Sequence, residues 1–211
     1  MDLLDLDNEL VESSRDDRVL DGQQAEVVAI FCDLRGFTAF SLRAEPEEIM
    51  GVLGEYYATL GDVITRHKAT LTSFAGDGLM VLVNAPVPCA DPALRAARLA
   101  IDMQRAVQGL IIGWQQRGYI IGFGIGFAMG PATVGSIGYG GHFNYTAIGN
   151  VVNLASRLCS AAENQQILVD SSIAAAVGSQ LELSLVGGRF LKGYGDRIDV
   201  FLLRTTYTKS G

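Results

Sequence analysis

Short continuous apolar runs alternate with longer amphipathic stretches along this chain. Residues 27–32 form a continuous apolar run of strand length, which is typical of a strand buried on both faces. Across residues 46–67, apolar side chains instead recur every three or four positions, which predicts an amphipathic helix. Pro46, followed by Glu47 and Glu48, suits the first turn of that helix, because proline is tolerated there and acids complement the helix dipole. A strand followed by a helix is therefore the first unit that the pattern predicts.

The pattern continues with a hairpin, a second helix and several later elements. Apolar runs at residues 70–74 and 79–83 flank a Gly-Asp-Gly connection, which predicts a tight hairpin turn. Asp91-Pro92 precedes the second amphipathic stretch and predicts the start of a helix. The later predicted elements are a glycine-studded strand (120–129), a strand (143–148), a helix (149–160), a strand (167–169) and strands near residues 181 and 199. This order favours an α+β fold on a split βαβ plan, with helices on one sheet face and extra C-terminal strands and a helix.

Length and composition favour one folded domain. A chain of 211 residues can form one well-buried core, and 49% hydrophobic with 18% charged residues is a globular composition. We place this domain at residues 25–205. Residues 1–24 are polar and acidic, with apolar side chains at helical spacing, and are predicted to form a helical arm or linker. Residues 206–211 form a short tail.

The charge and the cysteines limit the compartment and the partners. At a net charge of −7, the chain lacks the basic surface that replaces phosphate counterions, so we expect no nucleic-acid partner. The acidic N-terminus does not resemble a signal peptide, and the most apolar window, residues 119–129, is too short for a transmembrane helix. Three cysteines without CxxC spacing favour buried thiols in a reducing compartment. We therefore predict a soluble, cytoplasmic protein.

Two aspartates occupy similar positions in the predicted strands. Asp33 and Asp77 each come at the end of an apolar, strand-like run, with glycine close by. Two such carboxylates can hold a pair of Mg²⁺ or Mn²⁺ ions against a nucleotide triphosphate. Taken singly, each aspartate is better explained as a strand end or a turn cap. Taken as a pair, they favour a metal site.

Two further motifs carry groups that suit phosphate chemistry. Gly36, Phe37 and Thr38 lie where the first strand gives way to a helix, and backbone N–H groups at such a junction can form an anion nest for a triphosphate. A plain strand-to-helix turn explains the same residues. Asn153 and Arg157 stand four positions apart on a predicted helix and so share one face. They can position a ligand and bind phosphate oxygens, or belong to a solvated polar face.

The order of these motifs resembles the signature of the class III nucleotidyl cyclases, which make cyclic AMP or cyclic GMP. The resemblance runs from about residue 26 to about residue 203 and depends on residues 30–38, 75–80 and 145–157. It implies a ferredoxin-like core and the conversion of ATP to cyclic AMP and pyrophosphate, by in-line attack of the ribose 3′-oxygen on the α-phosphorus. It also implies a homodimer with shared sites. In each site, one subunit supplies the metal aspartates; the other supplies Asn153, which orients the ribose, and Arg157, which stabilises charge developing on the α-phosphate.

The resemblance implies roles for further residues. Asp33 and Asp77 would bind two Mg²⁺ or Mn²⁺ ions, with the backbone carbonyl of Leu34 as an additional ligand. Lys192 precedes a glycine shortly before the last strand and would contact the β- and γ-phosphates. A surface lysine before a turn fits the spacing of Lys192 equally well.

The residues expected to recognise the base leave the nucleotide open. Adenylate cyclases of the family usually place lysine, and guanylate cyclases glutamate, four residues before the second metal aspartate; this chain has Ser73 there. The second recognition position, three residues before Gly149, is Thr146, a replacement common in bacterial adenylate cyclases. A hydroxyl can donate or accept a hydrogen bond, so neither adenine nor guanine is excluded. Together the two positions favour ATP.

Two interpretations follow from different classes of protein. The favoured one is an active homodimeric cyclase, since the candidate metal and transition-state residues are all present. The other is a degenerate cyclase domain that binds nucleotide or dimerises without turnover, which the absence of the usual lysine supports. Cyclases of this family often carry sensor domains upstream, and residues 1–24 are a candidate connection to one.

Overall fold

The computed structural model describes residues 22–139, 142–190, 194–195 and 197–204. Lys192 and the tail at 206–211 lie outside the described residues, as do the first 21 residues of the arm or linker predicted at 1–24.

The described part of the chain contains eight strands and five α-helices. In chain order they are β1 (Gln23–Arg35), α1 (Phe37–Ser41), α2 (Pro46–Arg66), β2 (Thr70–Ala75), β3 (Gly78–Val83), α3 (Pro92–Gln116), β4 (Gly122–Tyr139), β5 (His142–Ile148), α4 (Asn150–Ala161), β6 (Ile167–Val169), α5 (Ser171–Val177), β7 (Leu183–Phe190) and β8 (Arg197–Leu203). None of the described helices is long and apolar enough to cross a membrane.

All eight strands belong to one mixed sheet centred on β1. The hydrogen-bonded order is β2-β3-β1-β4-β6-β8-β7, and β5 pairs with β4 outside this path. Strand β1 runs antiparallel to both β3 and β4, whereas β4 and β6 are parallel. The predicted α+β class and ferredoxin-like split βαβ core, with its additional C-terminal strands and helix, are confirmed.

Alternate residues of β1 enter two separate cores, because successive side chains of a strand point to opposite faces. Val28 and Ile30 lie in the core formed with α2, α3 and α5. Val27 and Ala29 lie in the core formed with α4. The expectation that helices cover one sheet face therefore holds for α2, α3 and α5, while α4 covers part of the opposite face.

Two glycines of β4 allow close packing on the α4 face. A Cβ atom on Gly126 would lie 1.9 Å from the backbone nitrogen of Cys159, so the backbone of α4 rests directly on the strand. A Cβ atom on Gly124 would lie 2.6 Å from a guanidinium nitrogen of Arg35. The glycines in this strand thus make room for a helix and for one half-buried cation.

Strand β4 is longer than the pattern predicts. The predicted strand ends at 129, but β4 continues to Tyr139 and forms an antiparallel arm with β5, from the Thr133–Ile148 pair to the Tyr139–His142 pair. This extension is rich in glycine and polar residues and has no apolar run. Its pairing with β5 provides the hydrogen bonds that make it a strand.

Candidate active site

Asp33 and Asp77 come together at one end of the sheet. Asp33 lies near the end of β1, opposite Gly124, and its neighbour Cys32 is opposite Leu79. Asp77 lies in the turn between β2 and β3, where Gly76 has a positive φ of 61°. The Oδ1 atom of Asp33 lies 3.8 Å from the position that a Cβ on Gly78 would occupy, so this oxygen faces the turn. The paired strands therefore bring the two carboxylates side by side.

The electrostatics of the pair follow from this proximity. The pKa of Asp77 is raised to about 6, first by burial and then by a hydrogen bond to Asp33 and the charge of Asp33. Arg35 is the cation that offsets part of this increase. Mg²⁺ and Mn²⁺ prefer oxygen ligands such as carboxylates, so Asp33 and Asp77 fit such ions. No group of three or more His, Cys, Asp or Glu side chains that could hold a metal is found among the described residues, so ions at this pair would need further oxygen ligands.

Leu34 contributes its side chain to the core and not to the site. It is 3% exposed, lies opposite Phe123 in the β1–β4 register and packs in the core beneath α2 and α3. Only its backbone carbonyl is a candidate ligand, as the family resemblance implies.

The turn after β1 forms the N-terminus of helix α1. Gly36 is left-handed, with φ 79°, and precedes α1 as its N-cap residue, without a side-chain cap. A Cβ on Gly36 would lie 2.8 Å from the carbonyl oxygen of Ile120, so another residue there would be strained and crowded. Phe37 and Thr38 begin the helix, and first-turn N–H groups have no partner within a helix. The predicted anion nest thus lies three to five residues after Asp33, in a turn that exposes backbone N–H groups.

Ser73 and Thr146 lie on strands that approach each other. Ser73 is opposite Met80 in β2–β3, and Thr146 is opposite Gly135 in β4–β5; both side chains are half-buried. Although β5 is not hydrogen-bonded to β2, Cα atoms of the two strands come within 8 Å. Thr146 also lines a pocket of about 180 Å³, with Gly135 among its neighbours. The strands that carry both base-recognition candidates are therefore close in one chain, although no contact between the two hydroxyls is recorded.

Asn153 and Arg157 lie on the outer face of α4. The helix buries Val151, Ala155 and Leu158 against the sheet, whereas Asn153 is exposed and Arg157 is half-buried. Within the described part of the chain, Arg157 has no recorded hydrogen bond or ion pair. The two residues share a face, as predicted, but that face points away from the sheet that carries the aspartates.

Tyr194 contacts the first residue of α4. Its hydroxyl donates to the backbone oxygen of Asn150 at 3.0 Å and lies 2.8 Å from the side-chain Oδ1 of Asn150. Burial raises the pKa of Tyr194, and the charge of Arg157 lowers it in part, which places the guanidinium close to the phenol. Sequence reasoning missed Tyr194, because nothing local links it to a helix 40 residues earlier.

Arg35 and Tyr57 are two further residues that sequence reasoning missed. Arg35 forms an ion pair with Asp33 at 3.1 Å. Tyr57, on α2, donates its hydroxyl to the carbonyl of Gly76, within the turn that carries Asp77. A signal existed for Arg35, since residues two apart on a strand share a face. The contact of Tyr57 depends on how α2 packs and has no such signal.

This chain is similar to known proteins over most of its length. The family model described as "Adenylate and Guanylate cyclase catalytic domain" matches residues 20–205. Adenylate cyclase 1 of Rhizobium meliloti (strain 1021) is 30% identical over 181 residues, which is 83% of this chain and 27% of that protein. The chain thus spans about a quarter of the length of this relative.

Two solved structures share the fold. The adenylyl cyclase CyaB from P. aeruginosa superposes with a TM-score of 0.85 at 27% identity, covering 91% of this chain and 100% of that chain. The guanylyl cyclase Cya2 superposes with a TM-score of 0.80 at 34% identity, covering 86% and 93%. The family indicated by the motifs is confirmed: this chain belongs to the class III adenylate and guanylate cyclase catalytic domains.

Proposed function

We propose that this chain is an adenylate cyclase that converts ATP to cyclic AMP and pyrophosphate as a homodimer. The observation that carries the proposal is the pair of adjacent carboxylates, Asp33 and Asp77, beside the left-handed turn at Gly36. The two carboxylates can bind cations, and the backbone N–H groups that follow Gly36 can bind phosphate oxygens close to them. Phosphoryl transfer needs such positioning and charge neutralisation more than it needs a protein nucleophile.

Asp33 and Asp77, with the carbonyl of Leu34, would hold two Mg²⁺ or Mn²⁺ ions. Bound there, the ions would lower the pKa of the ribose 3′-hydroxyl and neutralise charge on the pyrophosphate. The N–H groups at Gly36, Phe37 and Thr38 would bind the triphosphate.

Asn153 and Arg157 would act on the reacting part of the nucleotide. The amide of Asn153 positions the ribose so that its 3′-oxygen lies in line with the bond from the α-phosphorus to the leaving oxygen. The guanidinium of Arg157 donates to the α-phosphate oxygens as negative charge builds up on them. Lys192, outside the described residues, is proposed to contact the β- and γ-phosphates.

The position of these two residues on α4 supports the proposed homodimer. Their face of the helix is turned away from the sheet of their own chain, and Arg35, not Arg157, is the cation that acts on Asp77. A second copy of the chain would bring an outward α4 face to each aspartate pair. Two shared sites per dimer would result.

ATP is the proposed substrate, and GTP is the second candidate. The relative from Rhizobium meliloti is named an adenylate cyclase. The resemblance adds that threonine at the position of Thr146 is common in bacterial adenylate cyclases. Two observations support GTP as the second candidate. One solved structure similar to this chain, at 34% identity, is a guanylyl cyclase, and the hydroxyl of Ser73 can either donate or accept a hydrogen bond. An upstream sensor domain and a cytoplasmic location stay predictions.

A direct assay tests the enzyme proposal. Purified protein is incubated with Mn²⁺ and either ATP or GTP, and both cyclic nucleotides are quantified, with Asp33→Ala as the inactive control. We expect cyclic AMP from the wild type and none from the variant. Formation of cyclic GMP alone would identify GTP, and not ATP, as the substrate. No cyclic product from either nucleotide would contradict the enzyme proposal and leave a domain that only binds nucleotide or dimerises.

A further inference from the structure

Each guanidinium nitrogen of Arg35 makes a polar contact on the α4 face of the sheet. Its Nη1 atom donates to Oδ2 of Asp33 at 3.1 Å, its Nε to the carbonyl of Ala162 at 2.8 Å and its Nη2 to the carbonyl of Cys159 at 2.5 Å. The side chain is 22% exposed, compared with 40% for Asp33. A planar guanidinium that uses all three nitrogens has little freedom to rotate.

The sheet leaves room for this guanidinium. Gly124 lies opposite Asp33 in the β1–β4 register, and a Cβ at that position would lie between 2.6 and 3.0 Å from Arg35 side-chain atoms. Any larger residue at 124 would displace the guanidinium. The position of Arg35 is therefore fixed by packing as well as by hydrogen bonds.

The acceptors of Arg35 lie at the C-terminal end of α4. Cys159 lies in the last turn of α4, and Ala162 is the extended residue that ends the helix. Their carbonyls accept hydrogen bonds from Nη2 and Nε of Arg35 and so fix the guanidinium to this end of the helix. The remaining nitrogen, Nη1, donates to Oδ2 of Asp33 and leaves Oδ1 facing the turn that carries Asp77.

We propose that Arg35 is a positioning residue that holds Asp33 in its metal-binding orientation and fastens it to the end of α4. The inference rests on the proposed function, because it concerns how the carboxylate meets the ions. In the proposed homodimer, the α4 helix of each chain presents Asn153 and Arg157 to the site opposite. Arg35 thus joins the metal-binding half of one site to the helix that serves the other.

Mn²⁺ binding without nucleotide tests the positioning role. Arg35→Met keeps the side-chain length and removes the donors, and Arg35→Lys keeps the charge without the fork. Arg189→Met is the matched control, since Arg189 donates to the carbonyl of Ala161 at 3.5 Å at the same end of α4 and has no recorded contact with Asp33. Free Mn²⁺ is measured by electron paramagnetic resonance, and circular dichroism checks folding.

We expect both Arg35 variants to weaken Mn²⁺ binding about tenfold, because partners that orient metal ligands typically contribute factors of this size. Arg189→Met should bind Mn²⁺ as the wild type does. Unchanged or tighter Mn²⁺ binding in a folded Arg35 variant would overturn the positioning role. If Arg35→Met does not fold, the Mn²⁺ affinity of Arg35→Lys decides the question. Wild-type protein that binds no Mn²⁺ would contradict the proposed function itself, a result distinct from equal binding by wild type and variants.

Mixed dimers test the link to α4. A dimer of an Asp77→Ala chain and an Arg157→Ala chain has one complete site. We add Arg35→Met to either chain and measure cyclic product against Mn²⁺ concentration. In the chain that keeps Asp77, it should raise the half-saturating Mn²⁺ about tenfold. In the chain that keeps Arg157, it should lower kcat with the Mn²⁺ requirement unchanged. Equal effects from both chains would overturn the inference.

Discussion

The ionised carboxylate of Asp77 is destabilised in the folded, metal-free chain. Its folded-state pKa of about 6, against an ordinary value of 3.8, reflects burial first and Asp33 second. A raised carboxyl pKa means that the folded protein holds the proton more tightly than the unfolded chain does. The associated stability is therefore fully present below pH 3.8 and is lost as the pH rises through about 6.

Asp77→Asn should therefore stabilise the metal-free protein at pH 7.5. We expect an increase in Tm of about 2 °C, kept small because the carboxyl is only half-buried and solvent screens part of its interaction with Asp33. The gain should shrink at pH 5, where the wild-type carboxyl is mostly protonated. Calorimetry at both pH values in the presence of a chelator measures this, and added Mn²⁺ should stabilise the wild type only. An equal gain at both pH values would show that charge at Asp77 is not the cause.

A substitution at Arg157 tests whether this residue acts in ground-state binding or in the transition state. Arg157→Lys keeps the charge but cannot donate two parallel hydrogen bonds to phosphate oxygens. We expect kcat to fall about 100-fold with little change in KM, because the contact strengthens only as charge develops. Arg204→Lys, an exchange at an exposed arginine near the C-terminus, is the control and should leave both constants unchanged. A change in KM alone would assign Arg157 to ground-state binding.

Ser73 offers a test of base recognition. Ser73→Lys introduces a charged donor four residues before Asp77, and a charged hydrogen bond contributes about 1.5–3 kcal/mol. The ratio of kcat/KM for ATP over GTP should therefore rise by about tenfold or more, measured with both nucleotides in parallel. Thr65→Lys, an exposed exchange on α2, is the control. An unchanged ratio would show that position 73 does not face the base.

Among the elements, α4 depends most on one position of the sheet. A Cβ on Gly126 would lie 1.9 Å from the nitrogen of Cys159 and 2.4 Å from the carbonyl carbon of Leu158, and backbone atoms cannot move aside as a side chain can. Gly126→Ala should destabilise the fold by about 3 kcal/mol, measured by denaturant unfolding. Gly54→Ala on α2, where nothing lies within 4 Å of the added Cβ, should instead stabilise it by about 0.5–1 kcal/mol. Equal effects would mean that α4 can shift freely on β4.

The same elements show what the sequence could predict. Helix α2 and the β2–β3 hairpin follow from periodicity and turn residues, which are local properties. The Asp33–Asp77 pair follows from motifs. The second half of β4 was missed, because its strand character comes from pairing with β5. The sheet face covered by α4 was also missed, because helical periodicity identifies an apolar face but not the surface it packs against.

At the scale of the whole molecule, one chain carries two groups of candidate site residues that do not come together. The aspartate pair lies at the end of the sheet, and the outer face of α4 turns Asn153 and Arg157 away from it. Arg35 contacts both Asp33 and the C-terminal end of α4, so it lies between the two groups within one chain. If sites form only between chains, activity must depend on protein concentration and on which lesions share a dimer.

Mixing two inactive variants tests this arrangement. Asp77→Ala and Arg157→Ala should each be inactive alone, because both sites of each homodimer carry the lesion. After subunit exchange, a mixed dimer has one site with both lesions and one with neither. Random pairing makes about half of the dimers mixed, so about a quarter of wild-type activity should return. Recovery near this level would support shared sites, with a mixture of Asp77→Ala and Asp33→Ala as the control that stays inactive. No recovery, with exchange demonstrated by differently tagged chains, would mean that each site lies within one chain.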